Sequence, residues 1–80
     1  MTAPVMPLLT ARQQRVLAFI RDFHTEHGWA PSLREIGQHV GLRPSGVQYQ
    51  LVQLERMGWI RRAPNLPRAL VVLDPATGRP

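Results

Sequence analysis

Three times along this chain a small hydroxyl residue is followed, three places on, by a glutamine or a glutamate. These are Thr10-Ala11-Arg12-Gln13, Ser32-Leu33-Arg34-Glu35 and Ser45-Gly46-Val47-Gln48. Each fits a capping box, in which the hydroxyl accepts from a backbone amide and the longer side chain reaches back to the first residue. The third is the weakest, because Gly46 lowers helix propensity. A glycine closes each segment so opened: Gly28, Gly41 and Gly58 can all supply a left-handed stop. This punctuation predicts helices over about 11–27, 33–40 and 46–57.

The apolar spacing agrees with it. Val16, Phe19, Ile20 and Phe23 recur at helical intervals with Leu17 flanking the stripe. Leu33, Ile36 and Val40 mark a short second stripe, and Val47, Leu51 and Leu54 a third. Trp29-Ala30-Pro31 is a connector and Leu42-Arg43-Pro44 a tight turn. Trp29 and Trp59 each stand just past a glycine stop, where they are expected to cover the edges of the core. Beyond Gly58 the period falls to about two, and strands are predicted over 59–63 and 68–73. Pro64-Asn65-Leu66-Pro67 lies between them, a tip whose prolines cannot donate to a ladder. Residues 1–9, with Pro4 and Pro7, read as an irregular lead-in, and 74–80, with Pro75, Gly78 and Pro80, as a flexible tail. The expected fold is mainly α with a small β-hairpin, a three-helix winged helix-turn-helix over 10–73. A hairpin alone is marginal in water, so Ile60, Leu70 and Val72 should pack inward on the helices.

Eighty residues allow one domain and one small core. There is no cysteine, hence no disulfide framework, thiolate zinc site or cysteine nucleophile. His24, His27 and His39 have no cysteine or clustered carboxylates to join them, so no metal site is expected, and a histidine near a helix end has a plain dipole role. Ser32 and Ser45 read as caps without a paired base. With no glycine-rich phosphate loop and no acid–base constellation, the reading is not an enzyme, and no cofactor or small-molecule substrate is expected. No apolar run approaches the length that spans a bilayer, and the first residues do not resemble a secretory signal, so a cytoplasmic protein with no membrane partner is expected. The formal net charge is +5, and all ten basic residues are arginine. That excess points to an anionic partner, nucleic acid first.

With Val47, Leu51 and Leu54 turned inward, a rotation of about 100° per residue sets Ser45, Tyr49, Val52, Gln53 and Arg56 outward and Gln48 at the edge. The N-terminal half of such a helix reads base edges in the major groove. Gln48 and Gln53 can pair a donor and an acceptor with adenine, and Tyr49 and Val52 can meet a thymine methyl. Ser45 can cap the helix or meet a phosphate. A solvated helix face is the alternative for Ser45, Gln48 and Gln53. Tyr49 and Val52, exposed together, suggest a contact surface. Arg43 in the turn, Arg56 near the helix end and Arg61, Arg62 and Arg68 at the wing are candidates for phosphate contacts. Arg61 and Arg62 are strand neighbours and point to opposite faces. Asn65, at the tip, is placed to enter a minor groove. Arg15, Arg21 and Arg34 read as ordinary surface charges.

The wording of the sequence resembles the N-terminal domain of LexA-type SOS repressors. Leu9-Thr10-Ala11-Arg12-Gln13-Gln14, Ile20-Arg21-Asp22 and Gly28-Trp29-Ala30-Pro31-Ser32-Leu33-Arg34-Glu35-Ile36-Gly37 carry the likeness. So do Leu51, Leu54-Glu55-Arg56-Met57-Gly58, Ile60-Arg61-Arg62-Ala63-Pro64 and Pro67-Arg68-Ala69-Leu70, in the same order. The resemblance implies a winged helix-turn-helix that binds double-stranded DNA and represses transcription in a bacterial or phage cytoplasm, associated with the nucleoid. It places Arg12 near the DNA backbone. One small domain reads few bases, so high specificity would need a second protomer on a two-fold operator. The segment 41–47 is one residue shorter than the usual family form, and Tyr49 stands where members often carry a smaller or polar residue. Full-length members have a second, self-cleaving domain with a serine–lysine dyad and an Ala-Gly scissile bond; these residues contain neither lysine nor Ala-Gly. Other readings are a winged-helix protein-interaction module, the DNA-binding fragment of a longer self-cleaving repressor and, more weakly, an RNA-binding domain.

Overall fold

A computed structural model describes residues 8–63 and 68–80. The elements run α1 (Ala11–His27), α2 (Leu33–Val40), α3 (Pro44–Arg56), β1 (Ile60–Arg62) and β2 (Leu70–Val72). The two strands form an antiparallel pair with Ile60 opposite Val72, Arg61 opposite Val71 and Arg62 opposite Leu70. Backbone bonds from Ala63 to Ala69 (3.1 Å) and from Leu73 to Trp59 (2.7 Å) continue the ladder at both ends. The architecture is thus mainly α with a small β-hairpin, as in a winged helix-turn-helix.

The first two capping boxes form in full. Gln13 donates its backbone amide to the Thr10 hydroxyl at 3.1 Å, and Thr10 donates to the Gln13 side chain at 3.0 Å. Glu35 and Ser32 make the same exchange at 3.1 and 2.8 Å. Gly28 and Gly41 close the two helices in the left-handed region, with φ of 83° and 77°. The third box does not form. The N-cap of α3 is Arg43, with no side-chain cap bond, and Pro44 occupies the first turn. Proline's fixed φ and missing N–H suit the first helical position, so the helix starts ahead of Ser45, which becomes a helical residue instead of a cap.

The core consists of Val16, Leu17 and Ile20 from α1, Ala30 from the connector, and Ile36 and Val40 from α2. Val47, Leu51 and Leu54 from α3 join them, with Ile60 and Leu70 from the hairpin. Leu17 therefore belongs to the core, and Phe19 and Phe23 take the flank. Phe19 lies half-buried with its ring stacked on His39, centroids 4.3 Å apart. The reason is geometric: α2 and the hairpin enclose the Val16–Leu17–Ile20 side of α1, so Phe19 and Phe23 fall at its edge, half-buried. Leu33, at the start of α2, is left at the surface, and Trp29 is 52% exposed instead of capping the core. After β2 the chain turns on itself, where Asp74 and Arg79 pair as a short bridge.

One residue in α2 sets how α3 leaves it. Gly37 is buried mid-helix, and its carbonyl accepts from Gly41 at 2.8 Å and Leu42 at 2.9 Å. A Cβ on Gly37 would run into the Leu42 carbonyl and press on a Val47 methyl at 3.3 Å. Alanine normally favours a helix over glycine by about 1 kcal/mol. Here Gly37→Ala is expected to destabilise by about 1–3 kcal/mol, the range for an overpacked core. Denaturant unfolding measures it, and a stability gain would show that the turn yields.

Candidate nucleic-acid interface

Pro44 at the first helical position brings the side chains of α3 to the surface in a fixed order. Ser45, Gln48 and Tyr49 are exposed, Tyr49 to 61%. Val52 and Gln53, further along, are half-buried. Val47, Leu51 and Leu54 face the core, so the outward set is fixed by the burial of the inward one. The N-terminal half of α3 thus presents a hydroxyl, an amide and a phenol on one side.

The arginines divide into two groups. Arg12, Arg43, Arg56 and Arg61 are exposed and, among the described residues, make no ion pair. Arg43 stands just before α3 and Arg56 at its end, while Arg61 occupies the outward face of β1. Arg62, on the opposite face of β1, lies over α3: its Nη1 donates to Gln48 Oε1 at 2.9 Å and its Nε lies 3.5 Å from a Glu55 oxygen. Arg68 turns back toward α2. It takes a positive φ of 60°, a region ordinary side chains seldom occupy, and its Nη1 donates to the Ala30 carbonyl at 3.0 Å and to Glu35 Oε1 at 2.8 Å. Asn65, the candidate for the wing tip, lies outside the described residues.

Glu35 therefore has two tasks. The oxygen that completes the second capping box also receives Arg68, so one carboxylate joins the start of α2 to the root of β2. Its pKa is held below the usual carboxylate value, first by the Ser32 backbone bond and, against some desolvation, by the Ser32 hydroxyl and Arg68. The sequence discloses the capping half of this arrangement, through the local spacing. The Arg68 half joins residues remote in the chain and has no local signal. Among the described residues no cluster of histidine and carboxylate side chains could hold a metal ion, and no helix is long and apolar enough to cross a membrane.

A depressed carboxylate pKa stabilises the fold above the unfolded-state value, and that contribution is lost as pH falls through the lower folded value. Glu35→Gln keeps an acceptor for the capping box but removes the charge. The variant is expected to melt below the wild type at neutral pH, with the gap closing as pH drops through and below the carboxylate range. Melting curves across pH measure this; a gap that does not vary with pH would show that the charge contributes nothing.

α3 thus carries an exposed amide and phenol, exposed arginines at both of its ends, and a hairpin tied to it through Arg62 and Gln48. Comparison with known proteins gives the same direction. The LexA DNA binding domain model matches residues 6–69. The LexA repressor of Nocardioides sp. is 53% identical over 68 residues, covering 84% of this chain and 28% of that protein. The LexA repressor of Streptomyces coelicolor is 54% identical over 65 residues, covering 80% of this chain and 28% of its own length. That of Mycolicibacterium paratuberculosis is 52% identical over 69 residues, covering 85% and 30%. The chain spans less than a third of the length of these relatives. It belongs to the LexA DNA-binding domain family.

Proposed function

We propose that the chain binds double-stranded DNA in a sequence-specific manner and acts in transcriptional repression by occupying a promoter. The observation that carries this is the exposed Ser45–Gln48–Tyr49 face of α3, bracketed by Arg43 and Arg56. A helix of this kind reads base edges with the residues of its first turns and is placed by phosphate contacts at its ends. In this reading Ser45, Gln48 and Tyr49 meet the major groove first, and Val52 and Gln53 reach it only at the margin. Arg12, Arg43, Arg56 and Arg61 contact phosphates, with Asn65 at the wing. Arg62 and Arg68 already donate to protein acceptors, and we assign them to holding the interface in shape.

A single small domain buries limited surface on DNA. Specific occupancy calls for two copies on half-sites one helical turn or a multiple apart, which the self-complementary operators of two-fold repressors would provide. The curated relatives are named repressors, which supports the same role. The bacterial setting of this reading is a cytoplasmic one, on the nucleoid. The second, self-cleaving half of a longer repressor is the natural companion of such a domain.

Fluorescence anisotropy against duplexes selected from a random pool, and against scrambled versions, tests the reading across a salt series. Tighter binding to the selected duplex is expected, with Arg43→Ala and Arg56→Ala each lowering the log–log salt slope by about 0.9, the value of one lost phosphate contact. Arg68→Ala should change the slope far less. Equal affinity for selected and scrambled duplexes overturns sequence-specific recognition. No salt-dependent binding to either favours a protein-interaction module.

A further inference from the structure

Gln48 and Glu55 stand two turns apart on α3 and face the same strand. Arg62 reaches across from β1 to both, with Nη1 2.9 Å from Gln48 Oε1 and Nε 3.5 Å from Glu55 Oε1. Its side chain is only 20% exposed, whereas Gln48 is open to solvent. The chemistry of this contact fixes which way the glutamine amide is turned. A guanidinium carries donors only. A glutamine set against it must offer its carbonyl oxygen, because the opposite orientation would press NH2 on N–H. The carbonyl of Gln48 is therefore turned toward Arg62 at the surface, and its Nε2 amide hydrogens point away from Arg62.

This alters what Gln48 can read. An untethered glutamine presents a donor and an acceptor side by side, which matches the N7 and N6–H of adenine. A glutamine whose oxygen is turned onto a cation leads with its Nε2 donors on the opposite side, and the bond to that cation polarises the amide and strengthens them. The major-groove edge that offers two acceptors and no donor is that of guanine, with O6 and N7. We infer that Arg62 is a positioning residue that orients Gln48 to select guanine over adenine, so that base choice by α3 is set from the wing. This rests on the reading that α3 lies in a major groove. Glu55 completes the arrangement: it holds the other edge of the guanidinium and keeps Arg62 over the helix instead of on a phosphate.

The test is selection from a pool of duplexes randomised over about two helical turns, roughly 20 base pairs, with the 80-residue chain and its variants. Gln48→Ala locates the position that Gln48 reads, as the one where preference is lost. The wild type is expected to hold guanine there. Arg62→Met keeps the length of the side chain without its donors, and should move the guanine-to-adenine ratio at that position toward adenine by about tenfold, within what one bidentate contact discriminates. Preferences at the other positions should be unchanged. Gln48→Glu leaves the wing untouched and keeps an acceptor for Arg62, but turns an oxygen outward, and should move the preference to cytosine, whose N4 donates. If Arg62→Met does not fold, the wild-type base and the Gln48→Glu shift decide the matter. Adenine in the wild type, or guanine retained in Gln48→Glu, overturns the inference alone. So does an Arg62→Met variant with an unchanged guanine-to-adenine ratio, or one that weakens all sequences alike and lowers the salt slope by about 0.9, since Arg62 would then be a phosphate contact. A wild-type pool with no enriched sequence overturns the DNA-reading role itself, and the inference with it.

Discussion

The aim of α3 depends on an approach that only a glycine permits. Gly37 lets the Leu42 carbonyl and Val47 come against α2 with no side chain between them. Its own carbonyl collects the amides of Gly41 and Leu42, so the end of one helix and the start of the turn hang from a single acceptor. Pro44 then starts α3 at once. Between these fixed points the turn has little freedom, and the rotation of α3 about its axis follows from burying Val47, Leu51 and Leu54. Everything the outward face can touch is decided there.

The hairpin poses the opposite problem. Two short strands are marginal by themselves, and only Ile60 and Leu70 are buried within them. Polar tethers add direction to that packing. Arg68 binds the root of β2 to Glu35 and Ala30, and Arg62 binds β1 to Gln48 and Glu55. Half-exposed ion pairs of this kind each contribute little, roughly 0–1 kcal/mol. Their weight lies in direction. They specify how the wing sits against α2 and α3, which the apolar contacts of Ile60 and Leu70, with Val72 and Trp59 at the edge, would alone leave open to sliding.

How legible each part was in the sequence follows the range of the force behind it. The boxes at Thr10 and Ser32 involve neighbours three residues apart, and the spacing discloses them. Ser45 satisfies the same spacing, yet Pro44 competes for the helix start and wins, since its missing amide leaves one fewer donor to satisfy and its fixed φ is already helical. The apolar stripe of α1 was legible as a stripe but not in its exact rotation: Leu17 and Phe19 sit on either side of Val16, and only the position of α2 decides which goes inward. The two arginine tethers have no local signature at all. Each depends on a wing folded back onto a helix, so the sequence shows a run of arginines where the structure shows two occupations.

That division bears on what a net charge means. Ten arginines against five acids describe an electrostatic bias, which steers and concentrates but does not choose a base. Glu35 and Glu55 each draw one wing arginine inward, and so convert mobile positive charge into fixed geometry. Arg12 on α1, Arg43 and Arg56 at the ends of α3 and Arg61 on the wing are among the arginines with no such partner among the described residues. An acidic residue in a basic surface would ordinarily count against binding an anion. Here Glu35 and Glu55 each take one cation out of the general field and use it to hold the wing against α2 and α3, so the same residue type is a fixed tether in one setting and a free surface charge in another.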